Sequence, residues 1–306
     1  MNALPYKSKQ YGLIVLKLVL LGLTVFYVQD RLTDQTASTT TGILDGFKAI
    51  DLPFLLVILL MATLNWWLES LKWKHLVRGI RPISTVEAAK QTLSGLTLSL
   101  ATPARIGDFG VKAAYFPKPE RKSILIRNTI AHGAQLLTTL LFGGIGLYMI
   151  SRILMPFMDL NSFWPVTVLI LLALIGTQLF WRFRISGKLQ IWNIGKTGLW
   201  VLGLSMSRYL CFSLMFALLL DLQGVQISWA LSLPLIWVTY LLSSAIPSFL
   251  LLDVAIKGGV AVWLFSLVEV SAWPVICAAS LMWLFNMIMP ALIGAWFSLR
   301  YRPSYL

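Results

Sequence analysis

Six apolar runs divide the chain, at residues 11–28, 52–68, 127–150, 163–181, 198–220 and 273–299, with charged or aromatic residues at their ends. Helices of about 17–25 apolar residues match about 30 Å of hydrocarbon, so each run predicts a spanning helix. The first run is longer than the apolar core of a secretory leader and lacks a convincing cleavage site after it, which makes it a span rather than a signal peptide.

Two further segments, 86–116 and 229–265, are apolar in the middle yet broken, the first at Thr102-Pro103 and the second at Ile246-Pro247. Their halves are too short to cross comfortably one by one.

Composition settles the class. The 306 residues are 58% hydrophobic and 12% charged, with 13 Trp, 16 Phe and a mean hydropathy of +0.79. No soluble domain has enough polar surface to cover so much apolar side chain. An all-α polytopic membrane protein follows, organised as a single transmembrane domain; a soluble enzyme, a disordered chain and a disulfide scaffold are excluded. Lys and Arg number 25 against 12 Asp and Glu, a net charge of +13. In a membrane protein that excess marks cytoplasmic loops before it marks nucleic-acid binding, and no nucleic-acid partner is expected.

Basic residues alternate between loops. The stretch 29–51 holds Asp30, Asp34, Asp45 and Asp51 against Arg31 and Lys48 and belongs outside, whereas Lys72, Lys74, Arg78 and Arg81 belong in the cytoplasm. Arg152 alone marks the next outer loop; Arg182, Arg184, Lys188 and Lys196 return inside; residues 221–228 carry no basic residue; Arg300 and Arg302 follow the last span. Both termini are then cytoplasmic, in a bacterial-type inner membrane. Segment 86–116 lies between two basic clusters, and 229–265 between two loops without basic residues, so each enters and leaves on one side. About six spans plus two re-entrant helical hairpins is the predicted architecture; two proline-kinked pairs of crossings, up to about ten spans, is the alternative. Lipid supplies no partner for freed backbone N–H and C=O groups, so two broken hairpins imply a central polar site.

The hairpins resemble each other. Pro103 is followed by Asp108 and Lys112, and Pro247 by Asp253 and Lys257, each acid and base four residues apart on one helix face. Span, hairpin, span describes both 52–150 and 198–299, with 163–181 as connecting span. Charge bias starts the first unit outside and the second inside, an inverted repeat of the kind found in secondary transporters.

Thr102-Pro103-Ala104-Arg105-Ile106-Gly107-Asp108 with Lys112 resembles the Pro-x-Arg-x-Gly-acidic motif of the lysylphosphatidylglycerol synthetase transmembrane-region family, the flippase-like domain. Pro247 to Lys257 resembles its second motif. The resemblance implies a polytopic helical domain with re-entrant helices around a cavity and, in the best understood members, translocation of an aminoacylated phospholipid. Asp108 and Lys112 stand where that family has Glu and Arg, and Ser248-Phe249-Leu250-Leu251-Leu252 replaces its glycine pair. Only 301–306 follow the last predicted span, so the expectation is the translocation domain without the cytosolic synthetase domain.

Ionisable groups at membrane depth cost about 2.5–3.5 kcal/mol each on insertion scales, so Arg105, Asp108, Lys112, Arg208, Asp253 and Lys257 need partners or water. One shared cavity meets that need for all six. Arg105 offers a planar fork suited to a phosphate and the lysines add point charges; Asp108 and Asp253 orient them or hold an amine-bearing headgroup. Local Asp-Lys bridges are the competing structural explanation for the two pairs. Asn128, His132 and Gln135 form a polar stripe best explained by interhelical hydrogen bonds. Gly143, Gly144 and Gly146 permit close helix approach, while Trp66, Trp164, Trp229 and Trp273 read as interfacial aromatics. Cys211 and Cys277 lie in apolar runs as packing residues, and neither a metal set nor a cofactor motif occurs.

The leading function is a lipid translocase, flippase-like, moving a phospholipid or other phosphate-bearing lipid headgroup. The alternatives are an intramembrane transferase acting on a lipid-phosphate carrier, with Asp108 and Asp253 as its carboxylates, and a non-catalytic membrane partner that docks a lipid-modifying enzyme on its basic face.

Overall fold

The computed structural model describes residues 50–102, 105–154, 194–244 and 251–301. The predicted spans 11–28 and 163–181, both chain termini, Pro103 and Pro247 lie outside them. All regular structure among the described residues is helical: α1 Leu52–Val77, α2 Thr85–Ala101, α3 Ile106–Ala114, α4 Arg121–Leu154, α5 Ile194–Leu222, α6 Trp229–Ser244, α7 Leu251–Ser266, α8 Ala272–Trp283, a π-helical turn Leu284–Ile288, and α9 Met289–Arg300. Four stretches are long and apolar enough to cross a membrane: Leu52–Val77, Arg121–Met149, Thr197–Leu222 and Ala272–Arg300. They correspond to four of the six predicted runs. The two broken segments are each a pair of packed helices, α2 with α3 and α6 with α7.

Local chemistry explains the boundaries. Asp51 caps α1 by accepting from the Phe54 N–H at 2.9 Å, and Ser84 caps α2 by accepting from Glu87 N–H at 3.1 Å, one half of a capping box. Thr102 ends α2 in extended backbone, φ −122°, as its position before a proline requires. Sequence placed the end of the second span at Leu68, but α1 runs on to Val77. Lys72 and Lys74 are helical because each finds a partner: Lys72 pairs with Glu69, and Lys74 Nζ donates to Thr85 Oγ1 at 2.9 Å.

The π turn has a specific cause and consequence. Pro290 lacks the N–H that would bond the carbonyl of Asn286, four residues earlier. That carbonyl instead accepts the Trp66 indole N–H at 2.9 Å, while the Asn65 and Asn286 side chains bond at 2.6 Å. Trp66 therefore faces the bundle interior and is not the interfacial anchor expected of it. Trp66→Phe removes one partly buried hydrogen bond, and thermal unfolding in detergent is expected to register a loss of about 1 kcal/mol.

Packing repeats between the two halves. Helix α1 lies along α5. Helix α2 packs on α1, α3 and α9; its counterpart α6 packs on α5, α7 and α4. Helix α3 contacts α4 as α7 contacts α8. Each half thus inserts the first helix of its broken pair against the last long helix of the other half. Glycine makes both insertions possible: a Cβ on Gly294 of α9 would overlap the Leu93 carbonyl of α2, and one on Gly146 of α4 would sit 2.8 Å from the Pro234 carbonyl of α6. Thr97 Oγ1 donates to Ala291 O at 2.7 Å across the first of these contacts.

The apolar core is centred on Ile58, Met215, Leu235, Val262, Phe265 and Leu281, joining α1, α5, α6, α7 and α8. Trp73, Phe116, Ile124 and Ala131 build a second cluster around α1, α3 and α4. Outward faces are apolar as well: Leu60, Tyr148, Leu199, Leu292 and Leu299 are all more than two-thirds exposed. Helices apolar on both faces suit lipid, not water.

Candidate functional site

The link from α2 to α3 aims Arg105. Thr102 Oγ1 donates to Leu98 O at 2.8 Å and accepts from the Gly107 N–H at 2.8 Å, tying the end of one helix to the start of the next. Arg105 stands between them in the left-handed region, φ 57°, a conformation unfavourable for a side chain with a Cβ. Gly107 is needed here because a Cβ would overlap the Leu98 carbonyl. With α3 seated this way, Asp108 and Lys112 point into the bundle on one face, as their spacing requires.

Asp108 is the centre of a saturated network. Lys112 Nζ lies 3.1 Å from its carboxylate and 3.0 Å from Asn128 Oδ1; Asn128 Nδ2 donates to Asp108 Oδ2 at 2.8 Å, and His132 Nε2 lies 2.9 Å from the same oxygen. An ionised carboxylate only accepts, so Nε2 carries the proton in this arrangement. The His132 ring stacks on Phe109, centroids 5.1 Å apart, and Trp73 lies beneath Lys112 at 4.7 Å, its own indole N–H donating to Gln91 Oε1 at 2.7 Å. Gly95 on α2 provides the space, since a Cβ there would strike Asp108 Oδ1.

A second group joins α1 to α5. Glu69 Oε2 pairs with Lys72 at 2.7 Å and with Arg208 at 3.2 Å. Arg208 lies 5.1 Å over the Trp66 ring and donates to Gln135 Oε1 at 3.4 Å. The third group spans the two broken pairs: Lys257 pairs with Asp253 at 2.6 Å, and Arg105 approaches Asp253 at 4.0 Å. The polar stripe of α4 links the first two groups, since Asn128 and His132 bond Asp108 while Gln135 bonds Arg208.

The six residues singled out from sequence fall into these three groups: Asp108 with Lys112, Arg208 with Glu69, and Arg105 with Asp253 and Lys257. Arg208 is held by Glu69, Trp66 and Gln135. The stripe Asn128, His132, Gln135 does bond between helices, two members to Asp108 and one to Arg208. Glu69 and Lys72 are not among the sequence-based candidates: Lys72 reads as a cytoplasmic loop charge, yet it is 1% exposed. Their spacing of three beside Trp66 and Trp73 was the available signal, masked by the basic cluster that follows. Among the described residues no three His, Cys, Asp or Glu side chains gather as a metal site, and Cys211 and Cys277 are buried.

Two charge environments result. Lys112 with Asp108 is a buried pair, and Glu69 is shared between the buried Lys72 and Arg208. Arg105, with 48% of its side chain exposed, and Lys257, with 33%, remain open beside Asp253. Among the described residues Arg105 makes no hydrogen bond within 3.5 Å, so its five donors are available to a ligand. Compared with protein-family models and with curated proteins, the chain gives no match, and the motif resemblance stands on its own residues alone.

Proposed function

We propose that the protein is a lipid translocase of a bacterial-type inner membrane, moving a phospholipid or other phosphate-bearing lipid headgroup along a polar path between two re-entrant hairpins. The observation that carries this reading is Arg105, half exposed in a left-handed backbone at the break of one helix pair and 4.0 Å from Asp253 of the other. A guanidinium so placed has an acceptor near it but not in hydrogen-bond reach, which leaves its fork for a bidentate phosphate contact. The reciprocal packing of the two halves supports an inverted repeat, with both termini cytoplasmic and the hairpins entering from opposite faces. Arg105 and Lys112 then serve the cytoplasmic approach, and Arg208, Asp253 and Lys257 the outer one.

Replacing Arg105 by Gln removes the charge from a partly solvated position and leaves the buried pairs intact. In proteoliposomes with a fluorescent phospholipid, Arg105→Gln is expected to slow lipid movement at least about tenfold, the equivalent of one charge-assisted hydrogen bond. Thermal unfolding should be within about 1 kcal/mol of the parent. Unchanged movement by the folded variant would overturn the assignment.

A further inference from the structure

We infer that Asp253 is the group that releases the lipid phosphate, by competing with it for the guanidinium of Arg105. This rests on the translocase reading and gives Asp253 a positioning role in the same site, exerted through Arg105 and not on the lipid itself. The two side chains approach to 4.0 Å, about 1.2 Å beyond a charge-assisted contact. Asp253 is 13% exposed on α7 and is held by Lys257 at 2.6 Å, so its carboxylate stays in place. Arg105 is 48% exposed, and the bonds of Thr102 to Leu98 and Gly107 tie the helices that flank it. Its long side chain is therefore the part that turns. A phosphate in its fork would lie beside a carboxylate of like charge, and such charges repel strongly where water is scarce. The guanidinium then serves one anion at the expense of the other.

The exchange matters because Arg105 and Asp253 belong to opposite halves, at the break between α2 and α3 and at the start of α7. Glu69 and Arg208 also join the halves, through the long helices α1 and α5, but at 3.2 Å and with both side chains less than a fifth exposed. That pair is made and shielded, whereas the pair between the broken segments is open and within reach of closing. The seam of α1 with α5 is thus the fixed contact between halves, and the contact of Arg105 with Asp253 is the one that changes with the ligand. Asp253 draws Arg105 across when the carrier is empty, a phosphate takes it away, and the carboxylate recaptures it on release. Recapture lowers affinity and raises turnover.

The test is lipid movement in phosphatidylcholine vesicles holding the full chain and a graded mole fraction of fluorescent phosphatidylglycerol, which separates apparent affinity from maximal rate. Asp253→Asn is expected to raise apparent affinity about threefold and to lower the maximal rate by a similar factor, the equivalent of one ion pair partly open to solvent. Asp253→Ser should act in the same direction, so the result does not hang on the folding of one variant. Asp253→Glu, which keeps the charge, should stay near the parent. A role confined to holding α7 in place would not raise affinity. Beside Arg105→Gln, the effect of Asp253→Asn is expected to vanish, because no guanidinium is left to compete for.

Apparent affinity unchanged or lowered in the neutral variants would overturn the competition. So would a gain that persists beside Arg105→Gln, the mark of direct repulsion between carboxylate and phosphate. Either result leaves the translocase standing if Arg105→Gln alone slows the lipid. Movement indifferent to Arg105→Gln would overturn both.

Discussion

Asp108→Ala is expected to destabilise the protein by about 3–5 kcal/mol, among the largest effects of any single substitution outside the apolar core. The carboxylate holds Lys112, Asn128 and His132 together at 2.8–3.1 Å, and its side chain is 9% exposed, so solvent screens little of the interaction. Alanine would leave the Lys112 ammonium, 4% exposed, with Asn128 Oδ1 and the Trp73 ring for company. Most of the loss is the cost of that orphaned charge, not the worth of the pair. Asp108→Asn combined with Lys112→Met should therefore recover the greater part. Denaturant unfolding in detergent measures both, and a single-variant loss below about 1 kcal/mol would contradict the network drawn from the geometry.

Gly294→Ala comes next, at about 2–4 kcal/mol. Its Cβ would overlap backbone, Leu93 O and C, and backbone cannot rotate away as a side chain can. Overpacking of this kind costs about 1–3 kcal/mol, and pushing α9 off α2 also lengthens the 2.7 Å Thr97–Ala291 hydrogen bond, worth about 1 kcal/mol more. Gly146→Ala, against the Pro234 carbonyl, should behave alike. The controls are Gly144 and Gly203, both in helices with nothing within 4 Å of a built Cβ. There alanine is expected to be neutral or stabilising by up to about 1 kcal/mol. Thermal unfolding of the four variants that failed to separate the two classes would mean that the halves do not interlock through these glycines.

Much of the architecture was legible beforehand because its determinants are local. Apolar runs of membrane length and prolines that deny a backbone donor act within a few positions of where they stand. Residues 85–101 with 106–114 and 229–244 with 251–266 accordingly fall almost where the broken segments 86–116 and 229–265 were drawn. The acid-base spacing of four likewise foretold that Asp108 would face Lys112 and that Asp253 would face Lys257.

Charge reading failed where burial is imposed by elements remote in the chain. Lys72 was assigned to a loop because lysine is normally solvated, and the contacts that overrule this come from Glu69 one turn away, inside a wall completed by α5. Trp66 was assigned to the lipid interface because its indole wants one wet end. Its hydrogen-bond acceptor turned out to be a carbonyl freed by Pro290, more than two hundred residues along the chain.

Helical content, membrane-spanning character and the two helix breaks thus rest on periodicity, hydropathy and backbone chemistry, all carried by neighbours in the chain. Packing alone brought Arg208 to Glu69, Asn128 and His132 to Asp108, and Arg105 to the edge of Asp253. Which charges are spent on each other and which stay open to a ligand depends on distances of a few ångströms between helices remote in sequence. Coulomb energies in a low-dielectric interior change steeply over such distances, and no one-dimensional pattern records them.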